Sequence, residues 1–371
     1  MNDRATSTAL MEARPAQGTL PSLLAKVGAQ TKIPFRVVFA DGSDYWNHEA
    51  APAFTLYFRN KRAQSQILRF GHVGLLEAYF DGGIDFEGDF AKAFAVGFEA
   101  RFDTMRNPLV AIRNRWHEFR FSNRSIAQAK ANARFHYGLG QEMYRYWLDR
   151  VGMMYTCAYW KEGTQTVEEA QVNKMDHVCR KVQLKAGETF IDVGSGWGGL
   201  LFHAYERYGA IGTGCNATTE QVEETRAEIA RRGLSDKLKV VECDFREIPG
   251  RYDKLLSIGT LEHAGPDALP QVVKAHADAM KPGALGMIHF IGHVGRFETE
   301  FYIRKYIFPG GWIPSLAEAI DAMEQSGLEV IDVENLRRHY ALTLDAWAER
   351  FDENWEKIHA LDPKRFDERF R

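Results

Sequence analysis

Three groups of residues in this 371-residue chain have types and spacings suited to chemistry. The first is the glycine run Asp192-Val193-Gly194-Ser195-Gly196-Trp197-Gly198-Gly199, placed between the apolar segment Thr189-Phe190-Ile191-Asp192-Val193 and a helix opening at Leu200. Glycines at such a turn let backbone approach a ligand where any Cβ would clash, close to the positive end of a helix. The same run is also an ordinary device for turning tightly. The second group is Glu242-Cys243-Asp244-Phe245, which ends a later apolar segment with acids suitably placed to hold an adenine amino group. The third is dispersed: Cys157 in an apolar context, Glu262 beside His263, and His289 within an apolar strand. A Glu–His pair in a closed site can tune proton transfer. Taken singly, each has a plain structural reading: Cys157 as inert packing, Glu262 as a helix-start carboxylate, His289 as a satisfied core histidine.

The elements that must position these residues are legible from about 137 onward. Strands are expected at 189–193, 212–216, 238–242, 254–258 and 284–290, alternating with amphipathic helices. That alternation predicts an α/β, doubly wound parallel sheet with helices on both faces. Thr218-Thr219-Glu220-Gln221 opens one helix, which runs to Arg232 and stops at Gly233. In such a sheet, ligands sit outside the carboxyl ends of the strands. His289 lies at one of those ends.

The glycine run also satisfies the G-x-G-x-x-G spacing of dinucleotide-binding folds. That fingerprint wants a carboxylate about 20 positions on, at the second strand's end. Here the second strand ends in Cys215-Asn216-Ala217-Thr218, without an acid. Asp192 precedes the glycines within the strand, which resembles the D-x-G-x-G pattern of class I methyltransferases. The residues therefore favour S-adenosylmethionine over a nicotinamide cofactor.

Tyr155-Thr156-Cys157-Ala158-Tyr159-Trp160 resembles the signature of the cyclopropane fatty acid synthase and mycolic acid cyclopropane synthase family. Further landmarks agree in order and spacing: Phe135-His136-Tyr137, the loop at 192–199, Leu261-Glu262-His263-Ala264-Gly265, Ile288-His289-Phe290-Ile291-Gly292, Tyr306-Ile307-Phe308-Pro309-Gly310-Gly311 and His339-Tyr340-Ala341-Leu342-Thr343-Leu344. The resemblance implies a class I methyltransferase (Rossmann-like) domain. It further implies transfer of a methyl group from S-adenosylmethionine to a cis double bond of a phospholipid acyl chain. A carbocation-like intermediate then loses a proton and closes a cyclopropane. In the phospholipid-acting branch a bicarbonate ion is the implied base, held by the groups matching Cys157, Glu262, His289, Ile291 and Tyr340. For the cofactor, the match points to Tyr137, Tyr155, Thr156, Asp192, Gly194, Ser195, Gly196, Trp197, Asn216, Gln221, Asp244 and Phe245. Phe58, Tyr79, Phe80 and Phe308 are candidates for the lipid side or for core.

The chain departs from the family at Ser195, where cysteine is usual, at Asn216-Ala217-Thr218, at Gly138 and at Gln141. Relatives usually continue through another helix past the position of Arg371. These departures bear on the product more than on methyl transfer. Two other outcomes therefore stay open: the same transfer without ring closure, giving a methyl-branched or methylene fatty acid, and a lipid-binding protein that has lost catalysis.

The remaining chain supplies the setting. Residues 1–20 are expected to be a disordered tail, 21–100 a smaller α+β domain on the lipid side, 101–136 a basic connector, and 137–371 the methyltransferase domain. In the α+β part, strands are expected at 35–40 and 54–58, with a short helix at 75–80 ending in glycines. The connector carries Arg101, Arg106, Arg113, Arg115, Arg120, Arg124, Lys130 and Arg134 against Asp103 and Glu118. Such a stretch can attract an anionic lipid surface or serve as a solvated face. A net charge of −3 gives no argument for nucleic acid. No run approaches the ~18 apolar residues of a membrane span. The four cysteines show neither zinc spacing nor a disulfide framework. A cytoplasmic protein, peripheral at the inner face of the membrane, is the expectation, and the resemblance allows a homodimer.

Overall fold

A computed structural model describes residues 19–102, 108–296 and 298–371. The chain divides into two units, with the boundary between Trp116 and His117. Residues 1–18 of the expected tail lie outside the described residues, while Thr19 and Leu20 already belong to a helix.

The first unit contains α1 (Thr19–Gly28), β1 (Phe35–Val38), β2 (Asp44–Trp46), β3 (Phe54–Phe58), α2 (Lys61–Phe80), β4 (Ile84–Gly88) and α3 (Phe90–Glu99). Its sheet has the order β2-β1-β3-β4, with β1 parallel to β3 and the other pairs antiparallel. Phe35, Val37, Phe54, Phe58, Ile67 and Ile84 form its core, so Phe58 is a core residue here and not a lipid contact. The short helix expected at 75–80 is the last part of α2. Gly71, at φ 59° and ψ −138°, breaks that helix internally, so the sequence pattern resumes only beyond it.

Of the expected connector, residues 103–107 lie outside the described residues, and the rest contains α4 (Pro108–Phe121), inside which the unit boundary falls, and α5 (Ile126–Tyr137). Part of its charge is spent within the second unit: Arg124 pairs with Asp267 at 2.9 Å and Lys130 with Glu242 at 3.1 Å. Arg134 donates to Thr219 Oγ1 at 3.0 Å.

The second unit continues with α6 (Gln141–Arg145), α7 (Val167–Lys181), β5 (Thr189–Val193), α8 (Gly199–Tyr208), β6 (Ile211–Asn216), α9 (Thr219–Arg231), β7 (Leu238–Glu242), β8 (Tyr252–Ile258), α10 (Leu269–Asp278), β9 (Met280–His289), α11 (Leu316–Gln325), α12 (Arg337–Glu353) and α13 (Trp355–Leu361). Its five strands are all parallel, in the order β7-β6-β5-β8-β9. Helices cover both faces, so β5 is apolar nearly throughout rather than alternating, and its residues 190–193 are buried. The chain moves outward from β5 to β7 and then returns to β8. The crevice between the carboxyl ends of β5 and β8 is therefore the switch point where this architecture binds ligands.

Local chemistry fixes the elements around that crevice. Thr166 and Glu169 form a capping box at the start of α7. Gly198, at φ 82°, is the left-handed residue from which α8 departs. A Cβ on Gly199 would stand 2.6 Å from both Cα and O of Gly152, so only glycine lets α8 approach that loop. The reading of the cysteines is corrected: Cys215, in β6, and Cys243, just past β7, form a disulfide with Cα atoms 5.7 Å apart. The in-register pairing Asn216↔Glu242 brings these two strand ends side by side.

Candidate active site

A cavity of about 630 Å³ opens at the carboxyl ends of the second unit's strands. Its two ends differ in kind. One end is made by the turns after β5, β6 and β7. Gly194 has φ 80°, and a Cβ there would meet Thr260 Cγ2 at 2.6 Å, so the turns after β5 and β8 close on each other through a missing side chain. Gly196 has φ 53° and faces open space, a cradle that a side chain would fill. Asn216 Nδ2 donates to Gly196 O and to Gln221 Oε1, both at 3.0 Å, fixing the loop against the start of α9. Trp197 Nε1 donates to Glu224 Oε2 at 2.8 Å, and its ring lies 5.2 Å from that of Tyr144.

Asp192 is buried in β5; desolvation raises its carboxyl to about 7, against the pull of Lys174. Ser195 Oγ is buried with no hydrogen-bond partner. Asp244 is fully enclosed, and both its oxygens are engaged by Arg246, Oδ1 by Nε at 2.6 Å and Oδ2 by Nη2 at 2.8 Å. The expectation of an acid free to hold an adenine amino group is thereby changed. The guanidinium already takes much of the carboxylate's accepting capacity, and its Nη1 also donates to the carbonyl of Asn123 at 3.1 Å.

The other end is lined by the segment 155–157, the turn Leu261–His263 after β8, the end of β9, and one face of α12. Glu262 Oε1 accepts from the Ile291 amide at 2.7 Å, while Glu262 Oε2 is shielded from solvent and without a partner among the described residues. Burial raises Glu262 to about 7. His289 is pushed down to about 4 by burial and the Lys174 charge, and His263 to about 4 by burial. Cys157, 2% exposed, is raised by burial to about 11 and stays a thiol at neutral pH. Tyr155, raised to about 12 by burial, keeps its proton as well. Its ring sits 5.1 Å from Trp147, 5.2 Å from Trp347 and 6.5 Å from Phe308. The wall at this end is thus apolar and aromatic, with neutral polar groups and, in Glu262, an acid titrating near 7.

α12 supplies Tyr340, Leu344, Trp347, Ala348 and Phe351 to the wall, a spacing that places them on one helical face. Thr343 Oγ1 accepts from the Ala158 amide at 3.1 Å and from Trp160 Nε1 at 3.0 Å, fastening this helix to the signature segment. The Arg350 guanidinium grips both oxygens of Glu168 at the start of α7, at 2.8 and 2.5 Å.

All five residues expected around an anion, Cys157, Glu262, His289, Ile291 and Tyr340, line this one cavity. So do Tyr155, Thr156, Asp192, Gly194, Ser195, Gly196, Trp197, Asn216, Gln221, Asp244 and Phe245. The side chain of Tyr137 lies outside the described residues. Of the lipid-side candidates, Phe308 lines the cavity, while Tyr79 and Phe80 belong to the first unit. Sequence reasoning passed over Asn123, Arg246, Lys174 and the α12 face beyond Tyr340. For α12 the signal was available in the 340, 344, 347, 351 spacing of apolar residues. For the buried polar groups no periodicity marks them.

A family model described as mycolic acid cyclopropane synthetase matches residues 124–371, and a second, for a domain of unknown function, matches 24–108. A Pseudomonas putida protein named "probable fatty acid methyltransferase" is 34% identical, the alignment covering 90% of this chain and 84% of that one. The cyclopropane-fatty-acyl-phospholipid synthase of Escherichia coli K12 is 30% identical, over 86% of this chain and 82% of the other. Among solved structures, mycolic acid cyclopropane synthase CmaA1 complexed with SAH and CTAB superposes with a TM-score of 0.61 at 27% identity. It covers 65% of this chain and 89% of that one.

Proposed function

The chain belongs to the mycolic acid cyclopropane synthetase family, and from that premise we propose that it methylates the cis double bond of an unsaturated phospholipid acyl chain and closes a cyclopropane ring. That it is an S-adenosylmethionine-dependent methyltransferase acting on lipids follows from the family and its relatives. The finer reading rests on one observation: the buried Glu262 Oε2, unpartnered among the described residues, in a cavity lined with aromatic rings.

The residues at the glycine end fit the cofactor: the open cradle at Gly196, the orphaned Ser195 hydroxyl and the braced Asn216–Gln221 pair accept a nucleoside-bearing ligand. Bound there, S-adenosylmethionine supplies an electrophilic methyl group. The chain's own residues then manage the positive charge that develops on the acyl chain. The faces of Tyr155, Trp147, Trp347 and Phe308 stabilise a nearby cation through their quadrupoles. Cys157 and Tyr155 hold their protons, so neither traps it. Glu262, protonated below about 7, has a donor at Oε2. With Cys157, His289 and Tyr340 around it, that donor would hold bicarbonate, which supplies the basic oxygen the wall lacks. The Ile291 amide donates to Glu262 Oε1 and sets the orientation of that carboxyl beside the proposed anion.

The lipid would be met from the membrane side. α4 exposes Ile112, Trp116 and Phe119 at 67%, 62% and 86%, one amphipathic stripe among arginines. α3 exposes Phe90, Phe94 and Phe98 one turn apart. Among the described residues, no helix is long and apolar enough to cross a membrane. Vesicle sedimentation should therefore depend on anionic lipid and weaken with salt; salt-independent binding would overturn this docking mode.

Mass spectrometry of fatty acids, after incubation with S-adenosylmethionine and unsaturated vesicles, tests the reaction. A gain of one CH₂ that resists mild hydrogenation supports ring closure. A gain that still takes up hydrogen supports the methylated-alkene outcome. No gain overturns both.

A further inference from the structure

Three enclosed polar side chains converge on the segment between α6 and α7 without belonging to the cavity wall. Asp149, Gln171 and Lys174 are 1%, 0% and 2% exposed. Asp149 accepts from the amides of Val151 at 3.1 Å, Gly152 at 2.6 Å and Met154 at 2.6 Å. Gln171 Nε2 donates to the carbonyls of Met154 at 3.2 Å and Thr156 at 2.9 Å. One turn further along α7, Lys174 Nζ donates to Thr156 Oγ1 at 2.7 Å. Amide, carbonyl and hydroxyl groups of one segment are each held by a different buried partner, and of these contacts Met154 and Thr156 line the cavity, Thr156 with its hydroxyl held by the lysine.

An ammonium group has donors only, so Thr156 Oγ1 must accept from Lys174. The hydroxyl's own proton is then left to donate elsewhere, and the cavity is where Thr156 leads. Burying a lysine is costly, and a hydroxyl alone does not offset it. The acids facing this lysine are Asp149 and Asp192, with the Cys157 thiol alongside. Asp149 is already satisfied by three amides, and burial raises the Asp192 carboxyl to about 7, so that it is only about half ionised at neutral pH. The cation is therefore under-compensated on the side of the cavity.

Resting on the cofactor reading above, we propose that Lys174 is a positioning residue that acts through Thr156, turning its hydroxyl into a dedicated donor for the α-carboxylate of S-adenosylmethionine. The charge pattern matches an amino-acid moiety: Thr156 backed by a cation for the carboxylate, and Asp192 for the ammonium. The opposite end of the cofactor is left to Asn216, Gln221 and Phe245. Lys174 stays protonated at neutral pH, with its pKa lowered by burial to about 8.

The test compares binding of S-adenosylmethionine and of decarboxylated S-adenosylmethionine to the full chain by calorimetry. Wild type should prefer the carboxylated form by about tenfold or more, the scale of a hydrogen bond to a charged group. Lys174→Met and Thr156→Val should each remove that preference by weakening the carboxylated ligand alone, and the double variant should be no weaker than either single one. Lys174→Arg should restore part of it. Thr156→Val is isosteric and carries the test should Lys174→Met fail to fold. Equal weakening of both ligands, or additive losses in the double variant, would overturn the proposal and reduce Lys174 to a structural cation. Wild type that binds S-adenosylmethionine but methylates no lipid would sink the lipid reading and leave this one standing.

Discussion

The two ends of the cavity solve opposite problems. At the glycine end, polar groups are tied to each other before any ligand arrives: Asn216 to Gly196 and Gln221, Trp197 to Glu224, Asp244 to Arg246. At the Glu262 end, the polar groups are neutral or unpartnered, and the wall is aromatic. A pre-tied surface binds a polar molecule with little reorganisation. A surface stripped of charge and lined by aromatic rings suits a developing cation. The comparison therefore divides one cavity into a polar cradle and an aromatic chamber.

The most severe way to break that comparison is to remove the acid. Glu262→Ala should lower kcat by roughly 10²-fold or more, the range of positioned proton transfer. Binding of S-adenosylhomocysteine should stay within about twofold, since the two ends are separate. A parallel loss of binding would show that they are not. Next comes Gly194→Val, which puts a branched side chain at φ 80° against Thr260. KM for S-adenosylmethionine should rise at least about tenfold through left-handed strain and overpacking, with the bicarbonate dependence of the rate unchanged.

A milder probe is pH. Glu262 titrates near 7 in the folded chain, so its donor is present below that value and lost above it. The rate should therefore fall by up to about tenfold per pH unit above 7, and Glu262→Gln, which keeps a donor, should flatten that limb. The stability sign is the reverse of an ordinary paired carboxylate. Between its unfolded value of 4.5 and about 7, the native state holds a proton that the unfolded chain has lost. Stability from this group thus declines as pH rises through that window. Thermal melts at pH 8 should find Glu262→Gln more stable than wild type, by on the order of 3 kcal/mol. Equal melts at pH 8 would show that the carboxyl is not desolvated. The smallest effect is expected for Tyr340→Phe, a fall in kcat of about threefold to tenfold for one lost hydroxyl contact, read by initial rates.

How much of this the sequence disclosed follows from where each signal sits along the chain. The sheet and the glycine end are written in contiguous residues, Asp192 through Gly199, and were legible from physical chemistry. Cys157, Glu262, His289, Ile291 and Tyr340 are scattered over five elements and became a set only through resemblance. The Asp244–Arg246 pair was hidden because an acid two residues from an arginine does not announce that it is spent there. The Cys215–Cys243 disulfide depends on the register of β6 against β7, which spacing along the chain does not report. The full length of α2 was missed because Gly71 interrupts its pattern, and glycine punctuates helices more often than it bends them.

The fastening of α12 to the signature segment also has a meaning in time. The contact between Ala158 and Thr343 spans 185 positions, and every strand of the parallel sheet is made between them. During vectorial synthesis the sheet can assemble, and its glycine turns with it, while the roof of the reaction pocket has yet to leave the ribosome. A nascent chain stopped after β9 would carry a cofactor cleft without the chamber that makes the cofactor's methyl group safe to release. Helices translated after the sheet thus complete the chamber.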